Sequence, residues 1–256
     1  MNEAGYQVLI CQSNESSQLE RKNVEMLESS MVEGLIISVT KEPKNIELYR
    51  RLINERMPIV FINRVLPELN CSQVTIDDRK CAFKAVEHLI KCGYTRIAHL
   101  AGNKNLSVTQ RRVEGYIEAL HTYNIPCYQQ YLMYTGVQQD RAKIGVNYLL
   151  SLKEKPDAIF AVNDPIAIGA MLELKQRGLR IPEDIAIVGF TESPIGRILD
   201  LTSVYQPTLE MGHVAAELLL KKINDKDAAP EIRIFDAPLN IRGSSIPPHK
   251  KRKGTS

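Results

Sequence analysis

One texture constrains this chain more than any single motif. Short uninterrupted aliphatic runs alternate with helically spaced apolar residues along most of its 256 residues. The runs are QVLIC (7–11), GLIIS (34–38), IVFIN (59–63), QVTID (73–77), RIAHLAG (96–102), DAIFAV (157–162) and IAIVGF (185–190). A strand with one wet face alternates apolar and polar residues; an unbroken run is a strand covered on both faces, as in parallel sheets. Between the runs, Val24, Leu27 and Met31 mark one helical face. Further faces are Ala82, Val86 and Leu89; Val113, Ile117 and Leu120; and Ala167, Met171 and Leu174, the last closed by Gly178. A late helix reads EMGHVAAELLLKKI. Strand–helix repetition means right-handed βαβ units and an α/β fold.

The strands are too many for one small sheet, and candidate crossings fall near 77–80, 203–207 and 231–236. Two α/β lobes exchanging strands are therefore expected. Residues 1–77 plus 206–232 form the first and 78–205 plus 233–247 the second. Residues 248–256 form a disordered basic tail carrying HKKRK (249–253).

Composition removes several function classes. A net charge of +3 is too small for a nucleic-acid surface, and 6% aromatics with no Trp give no stacking platform. No apolar stretch reaches membrane-spanning length, and the N-terminal residues lack the pattern of a signal peptide. Cys11, Cys71, Cys81, Cys92 and Cys127 are odd in number and never paired as C-x-x-C, which reads as free thiols in a reducing cytoplasm. Nucleophile elbow, phosphate loop, dinucleotide fingerprint and zinc-protease helix are all absent. No cofactor or metal is expected. His88 and His99 fall inside a helix and a strand pattern, where structural roles suit them.

Chemistry in open parallel sheets sits at the carboxyl ends of the strands. Those ends carry Ser13, Ser38, Asn63, Asp77, Gly102, Asn163 and Thr191. Each alone is an ordinary cap or turn residue; two facing lobes would gather the set into a cleft lined with hydroxyls, amides and carboxylates. Arg112 stands at a helix start, against the dipole, where its fork of donors suits either a cleft ligand or a surface ion pair. Asn163-Asp164 ends a buried run and begins a helix, a place for capping, catalysis or ligand binding.

Several stretches together resemble the ligand-binding core of the LacI/GalR transcriptional regulators. They are GLIIS, PIVFINR, VTIDD followed by AFKAVEHLIKCGYTRIAHLAG, RRVEGYIEAL, PDAIFAVNDPIAIGAMLELKQRGLRIPEDIAIVGF and LTSVYQPTLEMGHVAAELLLKKI, covering about residues 4 to 245. The resemblance implies two periplasmic-binding-protein-like lobes with three crossovers and no enzymatic activity. It also implies a homodimer, and a sugar or sugar-phosphate effector whose binding changes lobe closure. Operator DNA would be read through an N-terminal head that these residues do not include. The first strand of the N-terminal lobe is likewise expected to be missing, leaving neighbouring strand edges unpaired.

By position, the resemblance assigns Arg112 and Asn163 to the effector, with Asp164 capping a helix that begins at Pro165. Asn63, Thr191, Glu192 and Val137 complete the expected ligand set. Thr191 and Glu192 stand where relatives carry two acidic residues, Val137 where an aromatic often roofs the sugar, and Asp200-Leu201-Thr202 where relatives read D-P-P-L-T. Two rivals are a free-standing sugar-binding protein and an enzyme using Asp77, Asp78 or Asp164 as acid–base groups. On this reading Arg112→Ala abolishes effector binding and spares the fold, and Asn163→Ala weakens binding more than Asp164→Asn.

Overall fold

A computed structural model describes residue 1 and residues 4–247. In chain order the elements are α1 (Ser17–Ser29), β1 (Leu35–Ile37), α2 (Ile46–Asn54), β2 (Ile59–Ile62), β3 (Ser72–Ile76) and α3 (Asp78–Lys91). Then come β4 (Ile97–Ala101), α4 (Ser107–Thr122), β5 (Leu132–Tyr134), α5 (Ala142–Ser151), β6 (Ala158–Ala161) and α6 (Asp164–Gln176). The chain closes with β7 (Ala186–Phe190), α7 (Pro194–Ile198), β8 (Thr202–Val204), α8 (Thr208–Asn224), β9 (Ile232–Phe235) and β10 (Leu239–Asn240).

Two compact units result. The first comprises Met1–Ile76, Asn105–Ser107 and Pro207–Asp236; the second comprises the remaining described residues. The expected break at 232/233 falls instead after Asp236, because β9 pairs with β3 through all four of its residues. The tail beyond residue 247 lies outside the described residues.

The second unit holds a six-stranded sheet in the order β10-β8-β7-β6-β4-β5. All its pairs are parallel except β10 with β8. Every residue of β4, β6 and β7 is buried, the condition that continuous aliphatic runs predict. Helices α5 and α6 close one core over this sheet, with Val146, Leu149, Ala167, Met171 and Leu174 set among Leu100, Ile159 and Ile187. Helix α6 ends where Gly178 takes φ +73°, the left-handed conformation that a helix C-terminus asks of glycine.

The first unit holds a four-stranded, wholly parallel sheet, β1-β2-β3-β9. Its core centres on Tyr49 and Phe61, whose rings meet edge to face at 5.4 Å. Helix α8 lies against β1, β2 and β3, close enough that a Cβ on Gly34 would stand 2.8 Å from Leu219.

Three local expectations need correction. QVLIC forms no strand: Val8, Leu9 and Ile10 are 59%, 61% and 92% exposed, and the backbone from Gln7 to Cys11 bonds to neither sheet among the described residues. Met31 lies beyond α1, at φ +55° and exposed, because the helix stops at Ser29. Ile117 faces outward on α4. Strands β5, β8, β9 and β10 carry no long aliphatic run; β9, at the sheet edge, is largely exposed.

Candidate functional site

In the second unit the carboxyl ends of β4, β6 and β7 lie side by side, since these strands are neighbours in the sheet. Arg112 is fixed among them. It sits in the second turn of α4, 4% exposed. Its Nε donates to Asp78 Oδ1 at 2.7 Å, its Nη2 lies 2.7 Å from the same oxygen, and its Nη1 donates to the Val162 carbonyl. The guanidinium plane also rests 3.6 Å from the centre of the Phe190 ring. Four elements therefore hold one cation: α4, α3 through Asp78, the end of β6, and β7 through Phe190.

That environment overturns the expectation that Arg112→Ala spares the fold. Truncation would strand the Asp78 carboxylate in a buried site, and breaking a buried pair costs about 3–5 kcal/mol. Burial pushes the Asp78 carboxyl up, with Arg112 pulling it back toward the ionised form. The adjacent Asp77 has a separate task, accepting from Lys80 N at 3.0 Å as the cap of α3. VTIDD thus carries a cap followed by a counter-ion, and the second role was not readable without α4 in place.

The helix cap expected at Asp164 belongs instead to Asn163. Asn163 is the cap of α6: its Oδ1 accepts from Ile166 N at 2.9 Å, while its Nδ2 donates to the Val137 carbonyl at 2.9 Å. The helix begins at Asp164, so Pro165 is its second residue. Asp164 is fully buried, and its two oxygens accept from Ser193 N and Ser203 Oγ, each at 2.6 Å. Burial raises its pKa against the pull of those hydrogen bonds. Gly189 and Gly196 make room for it: a Cβ on either would stand 2.4 Å from a carboxylate oxygen.

Past β7 the backbone turns through two left-handed residues, Thr191 at φ +88° and Glu192 at φ +46°. Thr191 is half-buried and tied to β8 by its N–H on the Val204 carbonyl at 2.9 Å. Glu192 is 7% exposed and its carboxylate is consumed by Arg242, Arg197 and Asn240. It acts as a counter-ion anchoring this turn to β10, so its carboxylate is not open to a ligand as expected. A φ near +88° on a β-branched residue is strain, and such strain persists where the surroundings over-determine it.

The structure therefore gathers Arg112, Val137, Asn163 and Thr191 at one end of the second sheet. Val137 packs at the edge of the core, within ordinary contact of the position a Gly102 Cβ would take. Asn63 belongs to the first unit, where it follows β2 at φ +63° and donates its N–H to the Val74 carbonyl at 2.9 Å. No cluster of His, Cys, Asp and Glu suited to a metal occurs among the described residues. Sequence reasoning missed Phe190, although it closes the run before Thr191, where a ring can meet a neighbouring cation; it named Asp78 only as an acid–base group of the rival enzyme reading and not as the counter-ion of Arg112.

Comparison with known proteins places this arrangement in context. A family model described as a periplasmic binding protein-like domain matches residues 86–245. The HTH-type transcriptional repressor CytR of Escherichia coli (strain K12) is 31% identical over 245 residues, 94% of this chain and 71% of that protein. The arabinose metabolism transcriptional repressor of Geobacillus stearothermophilus is 32% identical over 256 residues, 96% of this chain and 70% of the relative. Among solved structures, the transcriptional regulator CelR–cellobiose complex superposes with a TM-score of 0.86 at 29% identity, covering 95% of this chain and 75% of that one.

Proposed function

We infer the function from one premise: this chain belongs to the LacI-type transcriptional regulators with a periplasmic-binding-protein-like core. It is a regulatory core and not an enzyme. We propose that the core binds a small sugar-like effector through Arg112, Asn163, Thr191 and Val137 of the second unit, with Asn63 contributing from the first. Binding then shifts the equilibrium between two arrangements of the units, which requires that the effector prefer one of them. The working form on this reading is a cytoplasmic homodimer. Operator DNA is read by a helix-turn-helix head joined to the core, the element that the Escherichia coli relative's name carries.

The observation that carries the reading is the clamping of Arg112. A guanidinium locked by Asp78, the Val162 carbonyl and the Phe190 face is held rigid, with N–H groups left over beyond those three contacts. Rigid donors flanked by a hydroxyl and an amide suit a polyhydroxylated ligand, which needs oriented hydrogen bonds more than volume. The name of the CelR complex records a bound disaccharide in a relative of this fold.

Titration calorimetry against a panel of neutral sugars, nucleosides and sugar phosphates tests the proposal. A saturable heat for one class is expected, at least tenfold weaker in Thr191→Gly. That change removes the hydroxyl while relieving the left-handed backbone, so it does not threaten the fold. A ligand bound equally well by Thr191→Gly and by Val137→Trp would take the role away from these strand ends.

A further inference from the structure

Past β7 two left-handed residues follow one another, Thr191 and Glu192, and neither is a glycine. Three consecutive backbone N–H groups of that turn have fixed partners. Thr191 N donates to the Val204 carbonyl on β8 at 2.9 Å. Ser193 N donates directly to Asp164 Oδ2 at 2.6 Å. Glu192 N donates to Ser203 Oγ at 3.1 Å, and that hydroxyl donates its own proton to Asp164 Oδ1 at 2.6 Å. Both N–H groups that follow Thr191 therefore end on one carboxylate, one directly and one through a relay serine.

We propose that Asp164 is a positioning residue of the effector site, setting the direction of Thr191, and thereby the affinity, without touching the ligand. The inference rests on the assignment of Thr191 to the effector. A carboxylate suits the place because two donors approach its two oxygens and it accepts at both. An amide of the same shape must turn an NH2 toward one of those donors. A longer acid does not fit, since Gly189 and Gly196 already stand aside for the oxygens. Asp164 is fully buried at the first residue of α6, where the helix dipole favours its charge and both its partners are neutral. Thr191 is β-branched at φ +88°, a backbone that persists only while its surroundings impose it. As a mere helix cap, Asp164 could become Asn with binding almost unchanged. As a positioning residue it cannot.

The test begins without ligand, on the isotopically labelled full chain. Asp164→Asn should speed amide exchange at Glu192 and Ser193 by about tenfold or more and change the HN–Hα coupling of Thr191, with β4 and β6 still protected. Ser203→Ala cuts only the relay, so it should free Glu192 while Ser193 stays protected. That variant decides the matter if Asp164→Asn does not fold. Binding is then read by calorimetry with ribose, glucose 6-phosphate and adenosine as probes. A probe that binds the unaltered chain should bind Asp164→Asn about tenfold more weakly, and the same change made in Thr191→Gly should cost less than about twofold. Unchanged exchange at both amides overturns the proposal. So does an equal loss in the two backgrounds, which would make Asp164 structural only. A probe whose affinity ignores Thr191→Gly removes Thr191 from the site, and the ligand role of Asp164 with it, while the exchange data still report whether the turn depends on that carboxylate.

Discussion

The two units answer the same kind of sequence in opposite ways. IAIVGF in the second unit becomes β7, buried at all five of its residues and paired on both sides. QVLIC in the first, with Val, Leu and Ile in succession, is exposed and forms no strand. An aliphatic run states how much surface a segment could bury, while neighbouring edges decide whether it does. Strand β7 has β6 and β8 to bond; QVLIC meets no strand, and β1 ends the sheet beside it. The second unit also concentrates its buried polar groups, and there the stakes of each contact are highest.

The sharpest test of that contrast is the Arg112–Asp78 pair. Asp78→Ala should lower stability by about 3–5 kcal/mol in urea unfolding, since it leaves a guanidinium buried with only a carbonyl and a ring face. Replacing both partners with apolar residues should recover most of the loss. A single-variant loss below about 1 kcal/mol would mean that water reaches the pair and that the second unit is no tighter than the first.

Next in size is His99, wholly buried in β4 between Phe160 at 4.6 Å and Tyr116 at 5.3 Å. Its Nδ1 lies 2.9 Å from the Phe160 carbonyl and must carry the proton, which leaves Nε2 as an unpartnered lone pair. Burial, reinforced by the charge of Arg112, lowers its pKa to about 4, with the Phe160 carbonyl opposing. A depressed histidine pKa means that the unfolded chain takes up the proton first on acidification. Stability should be unaffected above about pH 6.5 and fall by about 3 kcal/mol between there and pH 4. His99→Phe should flatten that limb of the curve; an unchanged slope would assign the loss to other groups.

Much of the fold was legible because the period of apolar residues reports burial directly. Six of the seven aliphatic runs became strands, and Ala82, Val86 and Leu89 all face a core. The short strands β5, β8 and β10 were hidden because two or three residues carry no period. Strand β9, Ile-Arg-Ile-Phe, was hidden because Arg233 interrupts it, leaving no continuous aliphatic run to mark an edge strand. In the site, the residue types were readable and their partners were not. Asn163-Asp164 offered two good caps in succession, and only the serines at 193 and 203 decide which side chain turns inward. Glu192 looked available for a ligand because Arg242 and Asn240 lie about fifty positions away in sequence.

That division of labour predicts unequal losses at neighbouring positions. Asp164→Ala removes the acceptor for a backbone N–H and a buried hydroxyl, and should cost about 2–3 kcal/mol. Asn163→Ala removes a cap and one bond to Val137, and should cost about 1 kcal/mol. Equal effects in thermal unfolding would mean that the turn after β7 finds other partners once Asp164 is gone.

The smallest effect is expected where the sequence looks most like core. Ile10 is 92% exposed in the first unit, so Ile10→Ala removes almost no buried surface and should change stability by less than about 0.5 kcal/mol. The same truncation at Ile187, fully buried in β7, falls among core changes that cost about 2–5 kcal/mol. The comparison breaks if Ile10→Ala destabilises the free chain by more than about 1 kcal/mol, because a side chain in water has nothing of that size to lose. Such a loss, if it grew with protein concentration, would show Val8–Ile10 covered by another copy. If it did not, the segment would have to fold back onto the edge of β1 within one chain. Amide exchange at Leu35–Ile37 would separate the two: protection at every concentration means closure within the chain, and protection that fades on dilution means a partner.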